Sequence, residues 1–286
     1  MCNEGLAQFS KRIRQHSEEN QVIGESKDFT PINQFIAYID ILGYEVHLKS
    51  MGVSKLAKGL SEIITGVKNF PDFPTINPEN RRKFKVFSDN IIVCSETNWD
   101  EVLMHAQYIQ QYLLATGVFS RGSMVYGELY IDEDFICGQG IIDAYKLESE
   151  ISIFPRIIID ESFTSAMELS IPKLYERHLQ VTSSSVANST DEFYVRNDWK
   201  ERFFKRDFDG MLFLDYLELL LVIDNTATSN EEHDIVADRL KHHHDIVKKN
   251  LIDNAKNKRV LEKFQWCQNY HNEFCKQNGY PDFIIR

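Results

Sequence analysis

Two aspartates carry the strongest chemical signal in this sequence. Asp40 closes a short apolar run, Phe35–Ile39, and is followed by Ile41-Leu42-Gly43-Tyr44. Asp89 sits in Phe87-Ser88-Asp89-Asn90, a turn-forming group between two β-rich segments. Two ionised carboxylates brought together repel unless one takes a proton or a cation stands between them. Magnesium and manganese prefer such hard oxygen ligands and bridge them to phosphates. The Gly43 turn, opening a helix, would add free backbone N–H groups of the kind that hold a phosphate. The chemistry suggested is metal-assisted handling of a phosphorylated small molecule.

The elements around these residues decide whether the carboxylates meet. Phe35–Ile39, apolar on both faces, reads as a buried strand. Tyr44–Lys68 has helical spacing, with Val46, Val53, Leu56, Leu60, Ile63 and Ile64 in one stripe, and Phe70–Asn80 reads as a loop. Lys83–Cys94 reads as a hairpin with Asp89 at its tip. Val102, Ala106, Ile109 and Leu113 mark a helix that Asn98 or Thr97 can cap and Gly117 stops. Val118–Ile131 is a long strand that Asp132-Glu133-Asp134 turns back toward Phe135–Cys137. Gly138–Glu150 reads as a helix, Ile157–Ile159 as β, and Glu161–His178 as a helix; the chain is strongly helical and charged from Glu231 onward. The order β-α-β-β-α-β predicts an α+β, ferredoxin-like domain, in which the first strand runs beside the hairpin and sets Asp40 and Asp89 at one sheet end. The expected division is an arm over 1–30, a catalytic domain over 31–225 and a helical extension over 226–286.

Composition narrows the partners. The chain has 286 residues, a formal charge of −11, 43% hydrophobic and 26% charged residues, which is ordinary globular composition. An acidic balance argues against a broad nucleic-acid footprint. No apolar run approaches a membrane span of about 20 residues, since even Gly210–Ile223 is broken by Asp215 and Glu218. The charged opening residues have no apolar signal region, and five scattered cysteines lack C-x-x-C spacing, so a cytoplasmic protein without disulfides or a zinc site is expected.

Four motifs in the same order resemble a family. F-I-A-Y-I-D-I-L-G-Y (Phe35–Tyr44) and K-V-F-S-D-N-I (Lys85–Ile91) resemble the first and second metal motifs of class III nucleotidyl cyclases. S-R-G-S-M-V-Y-G-E-L-Y (Ser120–Tyr130) resembles that fold's long strand, and G-Q-G-I-I-D-A-Y-K-L (Gly138–Leu147) its dimer-interface helix. With a late F-x-W-x-x-x-Y-H-N segment (Phe264–Asn272), the pattern most resembles the pyrimidine cyclases of bacterial Pycsar antiphage defence. The resemblance covers roughly residues 32–160 and that later piece.

The resemblance implies a homodimer that converts UTP or CTP into the 3′,5′-cyclic monophosphate, a second messenger acting on a separate effector protein. It implies that Asp40 and Asp89, with the Ile41 carbonyl, hold two divalent ions, Mn2+ or Mg2+, and that Leu42, Gly43 and Tyr44 hold the triphosphate. Lys85 falls at a base-reading lysine, and Lys146 at a catalytic arginine, which it replaces as a point charge without the planar fork. Ile142 stands where purine cyclases carry a ribose-positioning asparagine, and Phe135 where they carry a purine-reading acid. Those departures speak against purine substrates, and the donor-only Lys85 favours uracil over cytosine. Tyr38 shares a strand face with Asp40 and either fills the core or touches the base. Arg121-Gly122 reads as a structural strand position, Tyr126 and Tyr130 as packing, and His242-His243-His244 cannot share one helix face as a metal site. The alternative function is a cyclase-like domain that senses a nucleotide without turnover; a diguanylate cyclase is disfavoured by the absence of a G-G-[DE]-[DE]-F loop.

Overall fold

The computed structural model describes residues 29–69, 83–170, 203–218, 220–221 and 235–286. All but the last two residues of the expected arm, the loop at 70–80 and the end of the helix expected through His178 lie outside these residues. The chain divides into two units, Met1–Pro31 and Ile32–Arg286. Everything below concerns the second.

Strand β1 (Ile32–Ile41) lies between β3 (Asn90–Ser95) and β4 (Ser120–Ile131), antiparallel to both. The edge strand β2 (Lys83–Phe87) completes the hairpin with β3, giving the order β2-β3-β1-β4 that a ferredoxin-like unit requires. The sheet continues through β6 (Ile157–Ile159), parallel to β4, and the hairpin of β7 (Phe204–Arg206) and β8 (Leu212–Leu214). The short β5 (Ile136–Cys137) pairs with the far end of β4. The architecture is therefore α+β with a mixed sheet.

Both faces of β1 are covered, which is why its sequence is apolar throughout. Phe35, Ala37, Ile39 and Ile41 enter a core with Ile63 and Val67 of α2 (Val53–Asn69) and Val102, Ala106, Ile109 and Leu113 of α3 (Trp99–Ala115). The helix expected as one element over Tyr44–Lys68 is two, because α1 (Tyr44–Met51) ends at Gly52, whose φ of 78° and ψ of 161° are not helical. The break turns the first half of the predicted stripe outward: Val46 and Val53 are exposed.

On the opposite face, Ile36, Tyr38, Ile92, Val125 and Leu129 pack under α4 (Gln139–Lys146). Glycines let this helix sit close. A Cβ on Gly140 would lie 2.6 Å from Ile36 Cδ1 and 3.0 Å from the Gly127 carbonyl carbon. The helix expected to run to Glu150 instead widens after Lys146 into a π-turn, Leu147–Ile151, closed by Ser152 N–H on the Leu147 carbonyl at 3.0 Å. Such wide turns insert an extra residue and re-aim side chains. Glu148 lies in this turn and is buried.

The rest of this face is covered by α5 (Ile235–Asp253) and α6 (Lys258–Gln277), which share a second core with Phe119, Ile158, Phe213 and Tyr216. The late F-x-W-x-x-x-Y-H-N segment is the fastening of α6. Phe264 packs edge-on to Phe119, Trp266 Nε1 donates to Asp207, Tyr270 donates to Asp215, and Asn272 exchanges two hydrogen bonds with the Ile285 backbone. The three consecutive histidines face three ways, as their helical spacing requires: His242 meets the Leu114 carbonyl, His243 is buried against His271, and His244 meets Asp245. A fully buried Arg156 is held by Asp207 and Asp209 and lies against the Phe154, Phe213 and Trp266 rings.

Candidate functional site

The register places Asp40 opposite Asn90 on one side and Arg121 on the other. Cross-strand partners share a face, so the end of β1 carries a carboxylate flanked by the hairpin tip and a guanidinium. The Ser88-Asp89 turn, with Ser88 at φ 58°, folds back so that Ile41 N–H donates to the Asp89 carbonyl at 2.9 Å. Asp40 and Asp89 thus meet at one sheet end, and the charges of both act on Tyr38 and on Glu148.

Each carboxylate keeps one oxygen outside the protein's hydrogen bonds. Asp40 accepts from Arg121 Nε through Oδ2 at 3.1 Å, and Asp89 accepts from Asn90 through Oδ1 at 3.1 Å. Among the described residues, no hydrogen bond reaches Asp40 Oδ1 or Asp89 Oδ2. Two hard oxygens with spare lone pairs, half-buried and close in space, fit a divalent cation of the magnesium or manganese type. No three His, Cys, Asp or Glu side chains converge among the described residues, so a cation there would draw further ligands from backbone oxygens and from a bound phosphate.

In the loop that follows, one of the N–H groups expected to meet a phosphate already has a partner. Leu42 N–H is taken by the Phe119 carbonyl at 2.9 Å. Gly43 adopts φ 72°, the left-handed region that favours glycine, and begins α1 without a side-chain cap. Val46 and His47 N–H donate to the Gly43 carbonyl at 2.9 and 3.0 Å, so the N–H groups without an intrahelical acceptor at this end are those of Tyr44 and Glu45. Tyr44 packs against the core.

Tyr38 does share the face of Asp40. It is 8% exposed and meets Tyr145 of α4 edge-on at 6.2 Å between ring centroids. Burial first, then Glu148 and Asp40, push its phenol well above its ordinary value, so it is a neutral hydrogen-bonding group. Lys85, two strands across the sheet in the row Tyr38–Ile92–Lys85, donates to the Glu133 carbonyl beyond β4. Lys146 ends α4 in an exposed position, apart from this cluster's contacts, alongside exposed Ile142 and Tyr145.

Three residues join the site that sequence reasoning did not assign to it. Arg121, read there as a structural strand position, bridges Asp40 and Glu148: Nε meets Asp40, and Nη2 lies 2.6 Å from Glu148 Oε1. The signal was available in the antiparallel register of the first and long strands, which sets Arg121 directly across from Asp40. Glu148 follows the A-Y-K-L helix motif, four residues after buried Ala144 and eight after buried Gly140, so it continues the buried face of α4. Burial raises its carboxyl to about 7, against the pull of Arg121, with Asp40 raising it further. Lys263 comes from α6, remote in sequence, and its charge acts on both Asp40 and Glu148. Nothing local in the sequence announced it.

No protein-family model and no curated protein matches the chain. Two solved structures show some likeness in fold. A bacterial light-regulated adenylyl cyclase aligns at 12% identity and a TM-score of 0.39, over 56% of this chain and 56% of that one. A guanylyl cyclase aligns at 12% identity and a TM-score of 0.34, over 49% of this chain and 80% of that one. The chain thus spans little more than half the length of the first. The functional reading stands on the residues at the sheet end.

Proposed function

We propose that this protein is a pyrimidine nucleotide cyclase, which converts UTP or CTP into the 3′,5′-cyclic monophosphate and pyrophosphate. The observation that carries the reading is the pairing of Asp40 and Asp89 at one sheet end, each with a spare oxygen, beside a glycine turn that opens a helix. Two divalent ions, Mn2+ or Mg2+, held by Asp40, Asp89 and the Ile41 carbonyl, would supply activation of the 3′-hydroxyl and neutralisation of phosphate charge. The protein's own residues do the rest. The Gly43–Tyr44 backbone receives phosphate oxygens, with Leu42 held in place by the Phe119 carbonyl; Tyr38 and Lys85 line the face available to the base, and Lys146 completes a site from a second copy.

The second copy is supported by α4 and its neighbours, which leave Phe135, Ile142, Tyr145 and Ile151 exposed around Lys146. Apolar exposure of this kind, rimmed by charge, fits a self-complementary dimer face. Lys85 offers donors alone, which suits the two carbonyls of uracil better than the amine of cytosine, so UTP is the preferred substrate. The product would act as a messenger on a separate effector, in a role such as antiviral defence. No helix among the described residues is long and apolar enough to cross a membrane.

The direct test is incubation of the pure protein with ATP, GTP, CTP and UTP in manganese, with products separated by mass. The expected result is cyclic UMP as the main product. Predominant cyclic CMP would overturn the Lys85 argument alone, and predominant cyclic AMP the pyrimidine assignment. The Arg121–Asp40 ion pair favours one alternative, a sensing domain in which a resident guanidinium takes a cation's place. Tight nucleotide binding with no cyclic product from any triphosphate is the outcome that selects it.

A further inference from the structure

A nucleoside triphosphate brings about four negative charges to a site that already holds Asp40, Asp89 and Glu148. Arg121 is committed to Asp40 and Glu148. The C-terminal helix brings further cations to the same place. Phe264 of α6 packs on Phe119 at 5.3 Å between centroids, and the Phe119 carbonyl holds Leu42 N–H. Leu42 itself packs against the C-terminal core. The phosphate-side loop, the start of β4 and the second turn of α6 are therefore joined at one residue.

Lys263, adjacent to Phe264, is half-buried at this junction and makes no ion pair or hydrogen bond with any described residue. Burial, together with Arg121 and Arg259, pulls its ammonium below the ordinary lysine value, while Asp40 and Glu148 hold it up. Arg259 lies one turn earlier on α6 and is exposed. A half-buried cation with no ion pair of its own, set beside Arg121 and Arg259, is costly to hold even with Asp40 and Glu148 in range. An incoming anion relieves that cost.

We propose that Lys263, with Arg259 at the rim, is the anion-binding arm of the site and takes the terminal phosphates of the nucleotide from the same chain that carries Asp40 and Asp89. The anion's identity as a triphosphate rests on the cyclase reading above. The C-terminal helices then have a direct function: their buried face fastens α6 to the sheet, and their charged edge completes the phosphate end in cis.

Inorganic tripolyphosphate, titrated into the full chain with and without manganese, tests this without requiring turnover. Lys263→Met keeps the aliphatic stem and should weaken tripolyphosphate binding about tenfold or more, with a melting temperature equal to or above wild type. Lys263→Arg should return affinity to within about threefold of wild type, and Arg259→Ala should cost about two- to threefold. For a nucleotide that is turned over, Lys263→Met should raise KM by a similar factor and leave kcat within about threefold. Affinity within about twofold of wild type in Lys263→Met, or no tripolyphosphate binding by the wild-type chain, overturns the proposal. So does a loss of binding accompanied by a lowered melting temperature and no rescue by arginine, which marks a structural lysine. Absence of cyclic product from every triphosphate would count against the cyclase reading, while the tripolyphosphate titration still decides Lys263.

Discussion

Two buried polar clusters lie on the same face of the sheet, and they are built on opposite terms. Under the C-terminal helices, every group in the chain Tyr216–His243–His271 has a partner. The Phe283 carbonyl accepts from His271 Nε2 at 2.8 Å, so His271 Nδ1 is the acceptor for His243 Nδ1–H at 3.0 Å. His243 Nε2 is then left to accept from Tyr216 at 3.1 Å. Tyr270 likewise donates to Asp215 and accepts Leu217 N–H at 2.9 Å. At the end of β1, by contrast, two aspartates keep spare oxygens and Glu148 Oε1 is buried without an aligned hydrogen bond, although Arg121 is near. A satisfied network fixes a core, whereas one left incomplete and rich in charge is kept ready for something absent from the chain. Burial alone separates neither; satisfaction does.

The sharpest way to break this contrast is to exchange phenotypes. Asp89→Ala should lower turnover by at least about 100-fold, some 2.7 kcal/mol of barrier. Its melting temperature in metal-free buffer should hold or rise, because a carboxylate facing others has been removed. Tyr270→Phe should do the reverse. It strips the donor from buried Asp215 and the acceptor from Leu217 N–H, at a cost of about 1–3 kcal/mol. That should lower the melting temperature by roughly 2–4 °C per kcal/mol, with kcat within about threefold of wild type at a permissive temperature. A Tyr270→Phe chain that melts normally but turns over slowly would show that the closed cluster also serves the chemistry.

The sequence made the two aspartates legible and hid what surrounds them. Asp40 and Asp89 could be placed because strand order and hairpin turns are local signals, and the ferredoxin-like order then sets their adjacency. The β1 and α3 stripes were equally readable, since one or two periodicities determine them. Gly52 was not read as a break, because nothing but its own φ and ψ distinguishes it from a glycine tolerated in a helix. Glu148 continues the spacing of buried Gly140 and Ala144, so its inward face was legible, whereas its ion pair with Arg121 follows only from how α4 docks on β4. Lys263 depended on how α6 docks, through a contact between Phe119 and Phe264 that are 145 residues apart in a chain of 286. Arg121 stood between these cases: its position was read correctly, and its role followed once the register gave it Asp40 as a partner.

The smallest expected effect sharpens the contrast through pH. Burial first, then the neighbouring histidines, lowers His243 well below the usual imidazole value of 6.5, and burial lowers His271. For a group depressed in the folded state, the stabilisation is full above the unfolded value and is lost as pH falls below about 6.5. Glu148 has the opposite sign. Its folded value of about 7 lies above the ordinary carboxyl value of 4.5, so its contribution is full below 4.5 and is lost as pH rises through 7. The closed cluster therefore destabilises the protein toward acid, and the open one toward neutral pH. Melting temperatures from pH 5 to 8 should show His243→Gln losing the fall on the acid side. Glu148→Gln should lose the fall on the neutral side and exceed wild type at pH 8, each effect being on the order of 1 kcal/mol, or roughly 2–4 °C. A Glu148→Gln chain whose pH profile parallels wild type throughout would mean that Arg121 keeps this carboxylate ionised, and that the end of β1 is as fully satisfied as the cluster beneath the C-terminal helices.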